Sequence, residues 1–364
     1  MITSPGDALD FAIRQTFIFN DFYALHSKRS SVYPSAGLGG LALFLCLASP
    51  AGAIVVNGLN SYTGAVSGSS PSYDGVDLSG VVEVLLNNGA TGCTGSLLAD
   101  GFSVLTAGHC ITNAYGDALP FSGTVTFLGP TGTSSNVTDH VSAYFVDPAW
   151  TGTGTQGGDL AVLRLSTAAP SWAAEYSLYT GSMPTGSGAD EVMAGYGLGG
   201  TGLTGGSTPL GTLRVGTNDY VESGKAFDAT WSAGLYVGEF YDPGLTSTNA
   251  LGSIVDPNPY SAGDEVDIAS GDSGGPSFYN GEIVGVHDLG ICLGSGSCNV
   301  PPSVGSANNS YFGEMYGDTS ASANATWIDE QLVPEPASFV LFGLGLAILV
   351  AGKRRSSNSP KPSR

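Results

Sequence analysis

Short apolar runs separated by Gly, Asn, Asp and Ser fill the middle of this 364-residue chain. They read GVVEVLLNNG, SLLADGFSVLTAG, GTVTFLG, DLAVLRLS, EVMAGYG and GEIVGVHDLG. Brief runs rich in Val, Leu, Ile and Phe, bounded by turn-forming residues, predict β-strands. Many short strands with this punctuation are typical of an antiparallel sandwich or barrel, so we predict an all-β fold.

Three other segments complete the pattern. SANATWIDEQL, Ser322 to Leu332, is predicted to be a helix. The Gly-rich stretches TGTGTQGG and GLGGTGLTGGSTPLG are predicted to be surface loops. We do not interpret them as linkers between independent domains, because strand-like segments flank both.

The amino-terminal part reads as a targeting segment. Ala36 to Ala53, AGLGGLALFLCLASPAGA, is an apolar run that follows Lys28 and Arg29 and closes on Ala-Gly-Ala. A basic flank, an apolar core and a small-residue exit predict a secretory signal peptide over residues 1–53, with a long region ahead of the apolar core. A buried core helix is the alternative.

The carboxyl-terminal part, residues 333–358, reads VPEPASFVLFGLGLAILVAGKRRSSN. Its apolar run, Ala337 to Gly352, would be about 24 Å long as a helix, slightly short of a ~30 Å hydrocarbon core. The basic cluster after it is expected to stay cytoplasmic, which places the preceding domain outside. Pro-Glu-Pro, apolar helix and basic cluster resemble the PEP-CTERM sorting signal of exopolysaccharide-producing Gram-negative bacteria.

That resemblance implies processing by a membrane-embedded exosortase; a plain carboxyl-terminal anchor is the alternative. Residues 54–332 would then form one exported domain. We expect it in the cell envelope or outside the cell, transiently anchored at the inner membrane by its last segment.

Charge narrows the choice of partners. Between Ile54 and Leu332 there are 27 acidic residues and three basic ones, Arg164, Arg214 and Lys225. Such a surface repels nucleic acid and anionic lipid, so no nucleic-acid partner is expected. The acidic residues are scattered, which favours solubility outside the cell over an acidic binding tail.

The five cysteines fit the same location. Cys46 lies in the segment expected to be removed, which leaves an even four. Four cysteines in an exported domain suit an oxidising compartment and two disulfides.

Three segments carry the residue types of nucleophilic catalysis. His109 lies in LTAGHC, Asp159 in GGDLAVLRL and Ser273 in SGDSGGP. A serine hydroxyl is nearly inert at neutral pH unless a base takes its proton, and a third group must hold that base in the right tautomer. Asp147, in VDPAW, is the rival for the third role. His140 lacks a comparable context.

In this order the segments resemble those of trypsin-like (chymotrypsin-fold) serine peptidases. CTGSLL at Cys93 resembles the family's disulfide-bearing strand, GYG at Gly195 its GWG, and TWIDEQL its closing helix. The resemblance runs from about Val81 to Leu332. It implies two antiparallel β-barrels with a short carboxyl-terminal helix, and a secreted serine endopeptidase that hydrolyses protein or peptide substrates through an acyl-enzyme intermediate.

The resemblance also assigns roles. Ser273 would be the nucleophile, His109 the general base and then acid, and Asp159 the carboxylate that orients and stabilises the imidazolium. The backbone N–H groups of Gly271 and Ser273 would form the oxyanion hole, because a glycine adopts the backbone conformation that such a site needs.

The resemblance also implies disulfide pairings. Cys93 would bridge to Cys110, and Cys292 and Cys298 would close a small loop. The sequence contains no HExxH, P-loop or dinucleotide fingerprint, so neither a metal nor another cofactor is expected.

Two segments indicate different substrate preferences. Asp267, six residues before Ser273, stands where trypsins keep a carboxylate for Arg or Lys side chains. His287 and Asp288 in VGVHDLG stand where trypsins have a small residue and a serine, and they resemble the IGIH segment of glutamyl endopeptidases, which favours acidic side chains. We favour basic substrates.

Two further alternatives remain. Cleavage after Ala53 would leave a chain that starts with IVVNG, which resembles the Ile-Val-Gly-Gly start of activated trypsins. In those enzymes the amino-terminal ammonium inserts beside the residue equivalent to Asp272. The other interpretation is an apolar start without that role. The alternative to an enzyme is an exported, non-catalytic surface or matrix-binding protein on a peptidase-like fold.

Overall fold

The computed structural model describes residues 54–58, 63–66, 71–86, 91–119, 122–129, 135–184, 189–240, 242, 265–292 and 310–332. Within these ranges, no helix is both long and apolar enough to cross a membrane. The predicted signal peptide, the sorting segment and the Cys292–Cys298 bridge lie outside the residues whose side chains are described, so they stay predictions.

Nineteen strands lie within the described residues. The first nine are β1 Ile54–Val56, β2 Ser72–Tyr73, β3 Val76–Asp77, β4 Val81–Leu86, β5 Thr91–Leu97, β6 Ser103–Thr106, β7 Gly123–Phe127, β8 Val137–Val146 and β9 Ala161–Leu165. The others are β10 Glu191–Gly195, β11 Gly199–Thr201, β12 Gly205–Thr208, β13 Arg214–Asn218, β14 Glu222–Ser223, β15 Leu235–Phe240, β16 Val266–Asp267, β17 Pro276–Tyr279, β18 Glu282–Cys292 and β19 Glu314–Ser320.

Within the described residues, the helices are few and short. Two 3-10 helices cover Gly108–Cys110 and Gly154–Gln156, and two α-helices, α1 and α2, cover Gly224–Phe227 and Ala321–Glu330. Helix α2 confirms the predicted late helix, with bounds shifted by one or two residues. It begins after Ser320, whose side chain accepts a hydrogen bond from the Ala323 N–H at 3.2 Å and so caps the helix.

The first half of the domain is a closed barrel of six antiparallel strands in the order β4-β5-β6-β9-β8-β7. Alternate residues point into it, and its core is built from apolar residues of every strand but β8, with β8 residues packed partly buried against them. Strands β6 and β9 are buried on both faces: Val104 and Leu163 face the barrel interior, while Leu105 and Val162 pack in the cluster that joins the two halves.

The second half is an open half-barrel. A seven-stranded sheet runs β13-β10-β17-β18-β19-β15-β14, and a four-stranded sheet runs β12-β11-β1-β16. The predicted all-β fold with two barrels and a closing helix is confirmed, with two refinements. Only the first barrel closes, and the pairing of β1 with β11 is parallel.

The Gly-rich stretch GLGGTGLTGGSTPLG differs from its prediction. It contains β11 and β12, which pair with each other around a register shift at Gly199 and Gly200. A chain this rich in glycine shows no alternation of apolar and polar side chains, so backbone pairing against β1 decides the structure here.

Candidate active site

Strand register brings His109 and Asp159 together. Strands β6 and β9 are antiparallel neighbours, with Thr106 opposite Ala161. Continuing that register by two residues sets Gly108 opposite Asp159, and His109 follows in the 3-10 helix that ends β6. A side chain at Gly108 would lie 3.0 Å from Asp159 Oδ1, so glycine allows this close approach.

Two hydrogen bonds join the pair. The His109 backbone N–H donates to Asp159 Oδ1 at 2.6 Å, and the ring nitrogen Nδ1 bonds to Asp159 Oδ2. Asp159 is fully buried, whereas 11% of the His109 side chain is exposed. Burial by itself would lower the pKa of His109, but the charge and hydrogen bond of Asp159 outweigh it and raise that pKa.

Ser273 lies in the turn between β16 and β17, against the first barrel. Its carbonyl oxygen accepts from the Thr94 N–H at 2.9 Å and lies 3.7 Å from Cys110 Sγ, next to His109. On the other side, a Cβ at Gly274 would lie 2.1 Å from Thr106 Oγ1, so this turn packs directly on the end of β6. These contacts hold Ser273 beside the histidine segment.

The outer ring nitrogen of His109 is available for proton transfer. Nε2 is buried and has no hydrogen-bond partner among the described residues. The Ser273 hydroxyl therefore does not hydrogen-bond to it in this structure. Catalytic hydrogen bonds are often long before substrate binds and tighten in the complex.

Two N–H groups of the serine turn have no acceptor among the described residues. Asp272, Gly274 and Gly275 donate their N–H groups to backbone carbonyls at 2.8–2.9 Å. The N–H groups of Gly271 and Ser273 donate to no acceptor within the described part of the chain. Gly271 has φ +99°, a conformation that disfavours any side chain. Two free N–H groups beside a serine are what an oxyanion site requires.

Thr94 ties this turn to the first barrel, and its sequence context gave no sign of that role. Its hydroxyl donates to the Gly271 carbonyl at 2.9 Å and accepts from the Tyr196 N–H at 2.9 Å. Because this fully buried hydroxyl donates one hydrogen bond and accepts another, it fixes the orientation of the Gly271 carbonyl.

The Asp272 side chain anchors the same turn through hydrogen bonds. Its carboxylate accepts from the N–H groups of Gly197 and Ala269, each at 2.8 Å. Burial raises its pKa to about 6, although those hydrogen bonds and the charges of His287 and Arg214 oppose the rise. Arg214 is 3% exposed and lies opposite Gly195 in the sheet. A Cβ added at Gly195 would come within 2.1 Å of Asp272 Oδ1, so this part of the sheet lies directly against the Asp272 carboxylate.

Within the described part of the chain, neither rival residue hydrogen-bonds to His109 or Ser273. Asp147 is buried and accepts from the Ala149 N–H at 2.8 Å, which closes a turn after β8. His140 is an exposed residue of β8.

The two predicted specificity residues are both buried. Asp267 is 1% exposed, its Oδ1 accepts from the Ile268 N–H, and its Oδ2 has no hydrogen-bond partner among the described residues. Burial, and then the charge of nearby Glu314, raise the pKa of Asp267 well above its ordinary value.

His287 is fully buried, and its Nδ1 lies 3.1 Å from Asp318 Oδ1. Asp318 also accepts from the hydroxyls of Tyr220 and Ser277, each at 2.6 Å. Because Asp318 lies in the polar strand EMYGDTS, neither its burial nor its pairing with His287 could be predicted from an apolar pattern.

The predicted Cys93–Cys110 disulfide is confirmed and spans 17 residues. Replacing both cysteines with Ala is expected to lower the free energy of unfolding by roughly 3 kcal/mol. For a domain of about 280 residues that loss corresponds to a fall of roughly 5 °C in Tm, at about 2.1 cal/mol/K of unfolding entropy per residue. Thermal unfolding of the two proteins, each with and without reductant, measures this. A variant that unfolds at the parental Tm would contradict it.

Comparisons with known proteins identify a family and a sorting motif. Residues 72–311 match the family described as Trypsin, and residues 332–355 match the PEP-CTERM protein-sorting motif. Among solved structures, the chain is similar to neuropsin, a serine protease expressed in the limbic system of mouse brain. The identity is 17% and the TM-score 0.48, over 69% of this chain and 94% of that chain. No curated protein sequence matches the chain.

A closed six-stranded barrel, a half-barrel and a matching family segment define a trypsin-like serine peptidase domain. The chain belongs to the trypsin family. Its carboxyl-terminal sorting motif marks an exported protein that is handled at the cell envelope.

Proposed function

We propose that this protein is a secreted serine endopeptidase in which Ser273, His109 and Asp159 form the catalytic triad. The main support is the buried Asp159 carboxylate, which holds the His109 ring beside the turn that carries Ser273. An exported binding protein would need neither this pairing nor the two free N–H groups of the serine turn.

The proposed reaction follows from these positions. Nε2 of His109 takes the proton of the Ser273 hydroxyl as its oxygen attacks the substrate carbonyl. The N–H groups of Gly271 and Ser273 bind the negative oxygen of the tetrahedral intermediate. The histidine then gives the proton to the leaving amine, and water releases the acyl group by the same steps in reverse order.

We propose that the enzyme cleaves after basic side chains. Asp267 and Glu314 are buried within electrostatic range of each other, at 1% exposure each, in a domain with only three basic residues between Ile54 and Leu332. A guanidinium or ammonium group entering near them would relieve the repulsion between the two carboxylates and be held by charge-assisted hydrogen bonds.

Peptide cleavage tests this preference. The mature protein is expected to cleave an Arg-containing peptide at least 10-fold faster, by kcat/KM, than a matched Glu-containing peptide. Asp267→Asn should remove most of that difference, and Asp117→Asn, at an exposed position of the first barrel, is the matched control. A preference for Glu would overturn the role of Asp267 and favour recognition by His287.

Export and processing form the second part of the proposal. The signal peptide over residues 1–53 directs secretion, and the sorting segment over 333–358 anchors the protein transiently until an exosortase cleaves it. The match of residues 332–355 to the sorting motif supports this route.

A further inference from the structure

Asp288 is a second buried carboxyl group at the His109–Asp159 pair. A ring nitrogen of His109 and one carboxyl oxygen each of Asp159 and Asp288 lie within 4.8 Å of one another. Asp288 is 4% exposed and Asp159 is fully buried. The catalytic roles proposed above leave Asp288 without a function.

A β-bulge turns this side chain toward Asp159. His287 pairs with Asp318 and Leu289 pairs with Gly317, so Asp288 is an extra residue in β18. Bulges re-aim side chains and are frequent beside active sites. On the outer side a Cβ at Gly154 would lie 2.6 Å from Asp288 Oδ1, so the glycine of the second 3-10 helix makes room for the carboxyl group.

Hydrogen bonding distinguishes the two carboxyl groups. Asp159 accepts from two groups of His109, its backbone N–H and its ring Nδ1. Asp288 accepts from the Thr319 hydroxyl at 3.0 Å through Oδ2. A carboxylate that receives two donors, one of them on a ring that becomes cationic, is the better stabilised anion.

The charges around Asp288 do not favour a second anion. Of the three clustered residues, only His109 can become cationic, and it is paired with Asp159. On β19, Asp318 adds negative charge. Burial, then the charge of Asp159 and a hydrogen bond to it, raise the pKa of Asp288 well above its ordinary value, although the Thr319 hydroxyl opposes the rise.

We propose that Asp288 is held as a neutral carboxylic acid whose O–H donates to the Asp159 carboxylate, and that it acts as a positioning residue for the His109–Asp159 pair. Asp159 then has three donors and one orientation, and His109 is held in one tautomer. This role rests on the proposed peptidase function, whereas the protonation state of Asp288 is independent of it.

Two substitutions separate the donor from its charge. Asp288→Ala leaves Asp159 without its third donor and should lower kcat roughly 10- to 100-fold with little change in KM. Asp288→Asn should restore most of that loss, because its amide N–H can donate to Asp159 while its carbonyl accepts from Thr319. Equal kcat for Asp288→Ala and the parent would overturn the positioning role.

The acid limb of the pH profile of kcat/KM tests the charge. If Asp288 is neutral, Asp288→Asn keeps the parental acid limb. If Asp288 is ionised, removing its charge lowers the pKa of His109, and the limb moves toward lower pH by about one unit. Such a movement would contradict the proposal.

Infrared spectroscopy provides a test without activity. At pH 7, the folded Ser273→Ala protein should show a C=O stretching band of a protonated carboxylic acid that disappears when Asp288→Asn is added. Adding Asp117→Asn instead should leave the band, since that side chain is exposed. Absence of an Asp288-dependent band overturns the inference. Its presence in a protein without peptidase activity would refute the proposed function alone.

Discussion

Replacing Ser273 with Ala is expected to lower kcat for peptide cleavage by about 10⁶-fold, because the variant has no group that can form the acyl-enzyme. The fold should remain intact. The contacts of Ser273 with Thr94 and Cys110 use its backbone carbonyl, which alanine keeps. Steady-state kinetics with a chromogenic peptide, together with thermal unfolding, measure both effects.

Ser207→Ala is the matched control for this substitution. Ser207 is an exposed residue of β12, so the loss of its hydroxyl should change neither kcat nor Tm. A Ser273→Ala protein that retains more than one percent of the parental kcat would contradict the assignment of the nucleophile.

Replacing Asp159 with Asn is expected to lower kcat by about 10⁴-fold, since an amide donates to His109 where the carboxylate accepts and thereby favours the wrong tautomer. The pH profile should change as well. In the parent, His109 loses its function as a base when pH falls through its pKa, which Asp159 raises above the ordinary histidine value against the effect of burial. Without that carboxylate, burial dominates, and the acid limb should move to lower pH.

Asp147→Asn tests whether the other aspartate of this region has the same role. Asp147 accepts a backbone N–H in its own turn, and an asparagine side-chain oxygen can still accept it. This variant is expected to keep both the parental rate and the parental acid limb. Parental activity in Asp159→Asn, or a 10⁴-fold loss in Asp147→Asn, would reverse the assignment.

Strands with clear apolar runs were predictable from sequence, and others were not. VVEVLL and AVLRL have buried apolar residues and turn residues at both ends, and both form strands of the first barrel. Strand β8 has no apolar run that would predict it, because most of its ten residues are at least partly exposed and its register shifts between Val141 and Ala143. Strand β19 has none because its polar residues are buried.

Some residues of the site were likewise predictable from sequence, and others were not. Sequence motifs named His109, Asp159 and Ser273, and strand register accounts for the first two meeting. Nothing local indicated that Thr94 would hold the Gly271 carbonyl, or that a bulge would turn Asp288 toward Asp159. These roles depend on which side chains face each other across the two halves of the domain, and such contacts have no signature in one segment alone.

Labelling with a fluorophosphonate probe tests the central claim most directly, because that reagent reacts with a serine only when a neighbouring base activates it. The folded mature protein is expected to take up one equivalent of probe, with the adduct on Ser273 by mass spectrometry of its peptides. Ser273→Ala should take up none, and Ser207→Ala should label like the parent. A folded protein that stays unlabelled, or an adduct on a different serine, would contradict the account.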